Sequence, residues 1–73
     1  MNTIEKIKKI LNENNVQYYD VDYSSTKRFV HILYKDLELS NYEAEQNKAK
    51  LNKLFTVKNW LEPNILSIPK CVI

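Results

Sequence analysis

The fold is decided by the stretch Val16-Gln-Tyr-Tyr-Asp-Val-Asp-Tyr23, Ser24-Ser-Thr-Lys27 and Arg28-Phe-Val-His-Ile-Leu-Tyr-Lys35. The first and last runs are rich in aromatic and β-branched residues, which favour strands. The polar segment between them is typical of a short loop. We therefore predict a β-hairpin with strands at 16–23 and 28–35 and a four-residue loop.

Placing Tyr23 opposite Arg28 predicts how the two strands pair. The mostly apolar face is expected to turn towards the core, and it pairs Val21 with Val30, Tyr19 with Ile32, and Gln17 with Tyr34. The other face mixes apolar and charged side chains, and it pairs Asp22 with Phe29, Asp20 with His31, and Tyr18 with Leu33. Such a mixed face suits a surface that another molecule partly covers.

Two helices are predicted on either side of the hairpin. Asn2 and Ser40 each begin a capping box, because a glutamate follows three residues later. Apolar residues then recur at helical spacing, which predicts helices over about residues 3–14 and 41–54. Between the hairpin and the second helix, residues 37–39 favour a short third strand.

The C-terminal third has a less definite pattern. Residues 56–61 fit either an extension of the second helix or a strand, and Pro63 ends either one. Residues 65–73 are too apolar for a free tail, but Pro69 lacks a backbone donor, which favours an edge strand or an extended arm. We expect one α+β domain over residues 1–73, with its core at 3–55 and an arm at 56–73.

Composition excludes several classes of function. The chain has 73 residues, of which 44% are hydrophobic and 27% charged, and its net charge is +2, as is ordinary for one small globular domain. It has no glycine, which excludes glycine-rich phosphate loops and dinucleotide-binding motifs. One cysteine and one histidine cannot complete a structural zinc site. We expect neither a metal nor a cofactor.

The sequence favours a cytoplasmic protein with no membrane partner. No apolar run approaches the roughly 18 residues that a membrane span needs, and no apolar stretch follows the first charges. The lone Cys71 fits a reducing compartment. Lys, Asn, Ile and Tyr far outnumber Gly, Ala, Pro and Arg, which favours an AT-rich genome such as that of a low-GC bacterium, its phage or mobile element, or a virus.

Asp20 and His31 are the sharpest candidates for chemistry. A carboxylate that orients an imidazole is a common arrangement for a general base. The chain has no second histidine and no glycine loop to hold a substrate, so a surface ion pair is the simpler interpretation. We therefore expect a non-enzymatic protein with no catalytic residue.

The same predicted face suggests a binding surface. Tyr and Phe are favoured in protein interfaces, and exposed aromatics also stack nucleic-acid bases. Coverage by the C-terminal segment or by a second copy in a homodimer is the alternative. We assign partner binding to five residues of this face: Tyr18, Asp20, Phe29, His31 and Leu33. The expected partner is a larger host protein, alone or in a nucleoprotein complex.

A lysine-rich flank offers a nucleic-acid alternative. Residues 46–73 carry five lysines against one glutamate, and lysines placed along a helix can meet phosphates. A solvated helix face explains the same pattern. The single arginine argues against sequence-specific DNA readout. The residues that this alternative uses are Lys48, Lys50, Lys53 and Lys58.

Four segments over about residues 4–54 carry a family resemblance: Leu11-Asn-Glu, Tyr18-Tyr19, Phe29-Val-His-Ile and Ser40-Asn-Tyr-Glu-Ala-Glu-Gln-Asn-Lys-Ala-Lys-Leu51. In this order they resemble the double-stranded RNA-binding domain. That family grips phosphates with paired lysines at the start of its second helix, where this chain has Asn41 and Tyr42. Its glycine-rich approach to that helix and its loop histidine are absent as well. The resemblance implies the fold more than the RNA grip.

The HicA-type toxin ribonucleases resemble the same fold and use a strand histidine, to which His31 would correspond. Arg28, Phe29 and Val30 stand where small residues are expected. Three functions therefore stay open. The first is a small interaction module, for example a phage or mobile-element inhibitor of a host defence nuclease. The second is an RNA- or DNA-binding module, and the third is a toxin-type ribonuclease.

Overall fold

The structure is a computed structural model that describes residues 2–34 and 39–73. Its elements, in chain order, are α1 Thr3–Glu13, β1 Asp20–Tyr23, β2 Phe29–Leu33, α2 Asn41–Leu54, β3 Asn59–Glu62, β4 Ile65–Pro69 and a 3₁₀ turn Lys70–Val72. The described strands form one antiparallel sheet in the order β1-β2-β4-β3. The predicted α+β class is confirmed.

Side-chain caps explain where both helices begin. Asn2 Oδ1 accepts from the backbone N–H of Glu5 at 2.8 Å, and Ser40 Oγ accepts from that of Glu43 at 3.2 Å. Asn15, just beyond α1, has φ 56° and takes the left-handed conformation that usually favours glycine. The predicted bounds of α2 are confirmed, and those of α1 agree within one residue at its end.

The core lies between the helices and one face of the sheet. Ile7 and Leu11 of α1 and Leu51 of α2 are fully buried. They pack against inward-facing residues of three strands: Val21, Val30, Ile32, Leu66 and Ile68. The opposite face of the sheet has no helix of the described chain over it, and this open face positions the candidate site.

The predicted register of the hairpin is wrong by two residues. Tyr23 lies opposite Val30, Asp22 opposite His31 and Asp20 opposite Leu33. The turn is closed by Ser24, whose N–H donates to the carbonyl of Phe29 at 2.9 Å, so the loop lies one residue later than predicted. Because side chains alternate with a period of two, Val21, Val30 and Ile32 stay on the core face despite this shift. Gln17 and Tyr19, also predicted on that face, precede β1 and are exposed.

The expectation of an arm or edge strand over residues 65–73 is also wrong. β4 pairs with β2 on one side and β3 on the other, and Leu66 and Ile68 are fully buried. Pro69 is accommodated because it is the last residue of β4. Lys70 N–H donates to the Arg28 carbonyl. Because successive residues of a strand direct their N–H groups to opposite sides, the Pro69 nitrogen faces away from β2. On that side, β3 pairs only as far as Ser67.

The ambiguous segment at 56–61 is resolved as a strand, because Asn59 to Glu62 form β3. The predicted strand at 37–39 falls mainly on residues that lie outside the described part of the chain. Leu39, which is described, is not in a strand and packs against the core. Neither α1 nor α2 has the length and apolar character needed to cross a membrane.

Candidate functional site

A polar row crosses the open face at the middle of the sheet. Asp22 lies opposite His31, His31 opposite Ser67, and Ser67 opposite Asn59. Lys70 N–H donates to the Arg28 carbonyl, so Arg28 and Lys70 form a hydrogen-bonded pair. Hydrogen-bonded and non-hydrogen-bonded pairs alternate along an antiparallel ladder, which makes His31 and Ser67 a non-hydrogen-bonded pair. Side chains approach most closely at such pairs. His31 is half-buried between the more exposed Asp22 and the buried Ser67.

Apolar pairs flank this row on both sides. Leu33 lies opposite Ile65 towards one end of the strands, and Phe29 lies opposite Pro69 towards the other. Phe29 keeps 40% of its surface exposed, whereas Leu33, Ile65 and Pro69 are half-buried. The open face thus has a polar centre between two apolar strips. Of the predicted binding residues, it brings together Asp20, Phe29, His31 and Leu33.

Tyr18 does not belong to this face, contrary to the prediction. β1 begins only at Asp20, so the alternation of side chains does not extend back to Tyr18. The preceding chain is held by Asn47 and by the buried Val16, and Tyr18 packs against the core. The neighbouring Tyr19 is more exposed than Tyr18, at 57%.

Asp20 and Asp22 make local contacts that the sequence did not indicate. Asp20 Oδ1 accepts from the N–H of Val21, and Asp22 Oδ1 accepts from the N–H of Tyr23, each at 2.8 Å. Ser24 N–H donates to the Phe29 carbonyl, so these two residues form a hydrogen-bonded pair of the β1–β2 ladder. Because the pair types alternate, Val21 and Tyr23 direct their N–H groups away from β2, to the free edge of β1. The two carboxylates therefore occupy donors that would otherwise pair with another strand.

The predicted Asp20–His31 pair does not form, because Asp20 lies opposite Leu33 and Asp22 takes its place beside His31. Four grooves on the described part of the chain are lined by residues other than His31. Within residues 2–34 and 39–73, no three Asp, Glu, His or Cys residues are grouped to hold a metal ion. The polar row therefore lies on the open face of the sheet, outside these four grooves.

A groove lies at the hairpin end of the sheet, with a volume of about 670 Å³. Phe29, Pro69 and Cys71 line it together with three cationic residues: Lys27, Arg28 and Lys70. Lys70 Nζ lies 5.3 Å from the centroid of the Tyr23 ring, a cation–π contact that orients it. Sequence reasoning missed this groove because it placed Pro69 and Lys70 on a separate arm. Their pairing with β2 is the long-range contact that creates it.

The four lysines of the nucleic-acid alternative do not form one surface. Lys48 Nζ lies 6.0 Å from the centroid of the Trp60 ring on β3, whereas Lys50 Nζ donates to the Asn15 carbonyl at the end of α1. Residues two apart on a helix point about 200° apart, so these two lysines lie on opposite sides of α2. Lys53 is exposed, and Lys58 lies beyond the helix in the approach to β3.

Tyr34, just after β2, is a buried titratable group that contacts Trp60, the residue over which Lys48 lies. Its hydroxyl donates to the Pro63 carbonyl at 3.0 Å, and its ring meets Trp60 edge-on with centroids 6.4 Å apart. Burial, assisted by the negative charge of Glu45, raises the pKa of Tyr34 to about 12. This phenol therefore stays neutral and acts as a structural donor.

A scan against known protein families and searches of curated proteins and of solved structures find no match for this chain.

Proposed function

We propose that this protein is a small non-enzymatic interaction module that docks onto a larger protein through the open face of its sheet. The observation that carries the proposal is the pair of apolar strips, Leu33 with Ile65 and Phe29 with Pro69, on either side of the polar row. Apolar patches framed by polar groups are typical of protein interfaces. Both described helices pack against the other face of the sheet, so neither of them covers this surface.

The closed edge of β1 supports docking by the face rather than by strand addition. Asp20 and Asp22 occupy the outward N–H groups of β1. At the other edge, β3 has a bulge between Trp60 and Glu62 and is followed by Pro63, both of which hinder pairing with a further strand. The partner would therefore contact side chains of the face.

Within this class, an inhibitor of a host defence nuclease, encoded by a phage or mobile element, is the specific candidate. Its basis is the small size of the chain and the AT-rich codon preference that its composition implies. The nucleic-acid alternative has less support, since Lys48 and Lys50 lie on opposite sides of α2 and each has a contact within the fold.

Site-specific photo-crosslinking in the cells of origin tests the proposal. A benzophenone amino acid replaces Leu33 on the open face in one variant and Ala49 on the exposed side of α2 in the control. We expect Leu33 to give an adduct with one larger protein that persists after nuclease treatment, and Ala49 to give none. Identical adducts from both positions, or loss of the Leu33 adduct after nuclease treatment, would contradict the proposal.

A further inference from the structure

We propose that the groove at the hairpin end of the sheet binds an acidic peptide segment that carries a large apolar side chain. This inference rests on the proposed interaction function and identifies the chemistry of one contact. The groove is lined by Lys27, Arg28, Phe29, Pro69, Lys70 and Cys71, and its volume is about 670 Å³. That space is within the range of sites that hold a drug-sized group.

The floor of the groove is apolar and lies on two paired strands. Phe29 and Pro69 lie opposite each other on the adjacent strands β2 and β4. The bond from Lys70 N–H to the Arg28 carbonyl, at 2.9 Å, ties the strands together immediately beyond them. A phenylalanine, leucine or isoleucine side chain can therefore bury against a preformed surface, with little ordering of the protein on binding.

The rim of the groove is cationic. Lys27, Arg28 and Lys70 are all exposed. Lys27 has φ 60°, which turns the hairpin loop tightly, and Lys70 rests over the Tyr23 ring. Because acidic groups attract these cations while an apolar group fills the floor, the complementary ligand has carboxylates on both sides of an apolar residue.

A peptide fits this surface better than a nucleic acid does. The remainder of the open face carries Asp20 and Asp22 on β1 and Glu62 at the end of β3. A continuous phosphate backbone leaving the groove along the sheet would meet these carboxylates. A short acidic segment instead ends within the cationic rim, and the neutral part of its protein can cover the rest of the face.

The probe is a fluorescein-labelled five-residue peptide with a central phenylalanine and two acidic residues on each side. Its binding to the full chain is measured by fluorescence anisotropy. We expect Arg28→Glu and Lys70→Glu each to weaken binding by about tenfold or more, and the control Lys53→Glu, on exposed α2, to change it by less than about twofold. Phe29→Ala should weaken it too. Far-ultraviolet circular dichroism and Trp60 fluorescence verify that each variant is folded.

The single cysteine reports where the peptide binds. Cys71 is exposed and lines the groove, so the bound peptide should slow its alkylation by neutral iodoacetamide. The inference is overturned by absence of peptide binding at millimolar concentration, by unchanged alkylation of Cys71, by equal losses in Lys53→Glu and Arg28→Glu, or by tighter binding of a single-stranded oligonucleotide. If the Leu33 adduct persists while the peptide fails to bind, the groove assignment fails and the proposed function stands.

Discussion

The side-chain amide of Asn47 forms two hydrogen bonds with the backbone of Gln17. Asn47 Oδ1 accepts from the Gln17 N–H at 3.2 Å, and Asn47 Nδ2 donates to the Gln17 carbonyl at 3.0 Å. Asn47 is only 3% exposed. The amide thus pairs with both the N–H and the C=O of one residue, as the backbone of a neighbouring strand does, and it holds the segment between α1 and β1 against α2.

Replacing Asn47 with alanine should lower the free energy of unfolding by about 2–3 kcal/mol, because it leaves two partly buried backbone groups of Gln17 without partners. Urea denaturation followed by Trp60 fluorescence gives this difference as a lower midpoint. The matched control is Gln46→Ala, which removes an exposed amide from the adjacent position of α2. Equal stability of the two variants would show that the Gln17 contact contributes nothing.

The Asp20 and Asp22 carboxylates on β1 are expected to keep the chain from associating through this edge. In the double variant Asp20→Ala/Asp22→Ala, the N–H groups of Val21 and Tyr23 lose their acceptors and become available to another strand. We expect larger species than in the wild type at equal concentration, measured by analytical ultracentrifugation.

The control for this experiment is Asp20→Asn/Asp22→Asn. It removes the same two charges but keeps an oxygen that can accept from each N–H. The asparagine variant should sediment like the wild type. If both double variants associate equally, the association is caused by the loss of negative charge and not by the loss of the N–H acceptors on β1.

Tyr34 predicts a loss of stability at high pH. Its pKa is raised from 10.0 to about 12 in the fold, so between these values the folded chain keeps a proton that the unfolded chain releases. The unfolded state then binds fewer protons, and the free energy of unfolding falls as pH rises through this window. Below about pH 10, both states are protonated at this group and its contribution is complete.

The measurement is urea denaturation at several pH values from 9 to 11.5, a window chosen around the ordinary pKa of tyrosine, about 10. Tyr34→Phe is the comparison, since it keeps the ring beside Trp60 and removes the titrating hydroxyl. The variant is expected to be less stable at neutral pH, where the Pro63 carbonyl loses its donor, and to lose less stability as pH rises. Parallel pH curves for the two proteins would contradict this.

Local signals in the sequence account for what could be predicted. Both helices begin at capping residues, Asn2 and Ser40, whose hydrogen bonds involve only nearby residues. The core face of the hairpin was also predictable, because the error of two residues in register preserves the alternation of Val21, Val30 and Ile32.

What could not be predicted depends on long-range contacts. The order β1-β2-β4-β3 places the C-terminal strand beside β2, and no local pattern indicates that neighbour. Pro69 favoured an edge position, since it lacks a donor. Its nitrogen points to the β3 side of β4, but the pairing with β3 reaches only as far as Ser67, so no hydrogen bond is lost there. The groove and the polar row of the open face both follow from this pairing, so neither was visible in the sequence as a set of adjacent residues.

The central position of β4 predicts which C-terminal residues are essential for folding. Ile68 is fully buried, whereas Val72, four residues later, is 50% exposed. Ile68→Ala should lower the free energy of unfolding by about 2–5 kcal/mol through lost burial and a residual cavity. In a domain of this size that is a large fraction of its stability. Val72→Ala should change stability by less than about 0.5 kcal/mol, as surface substitutions do.

Ile68→Val serves where the alanine variant is too unstable to purify, because removing one methylene from a buried isoleucine costs about 0.5–1.5 kcal/mol. Chemical denaturation of the three variants should therefore rank Val72→Ala as most stable, then Ile68→Val, then Ile68→Ala. A loosely attached arm would make the three alike, since neither side chain would contribute to the core. Equal midpoints would thus refute the placement of β4 between β2 and β3, and with it the groove and the open face that this pairing builds.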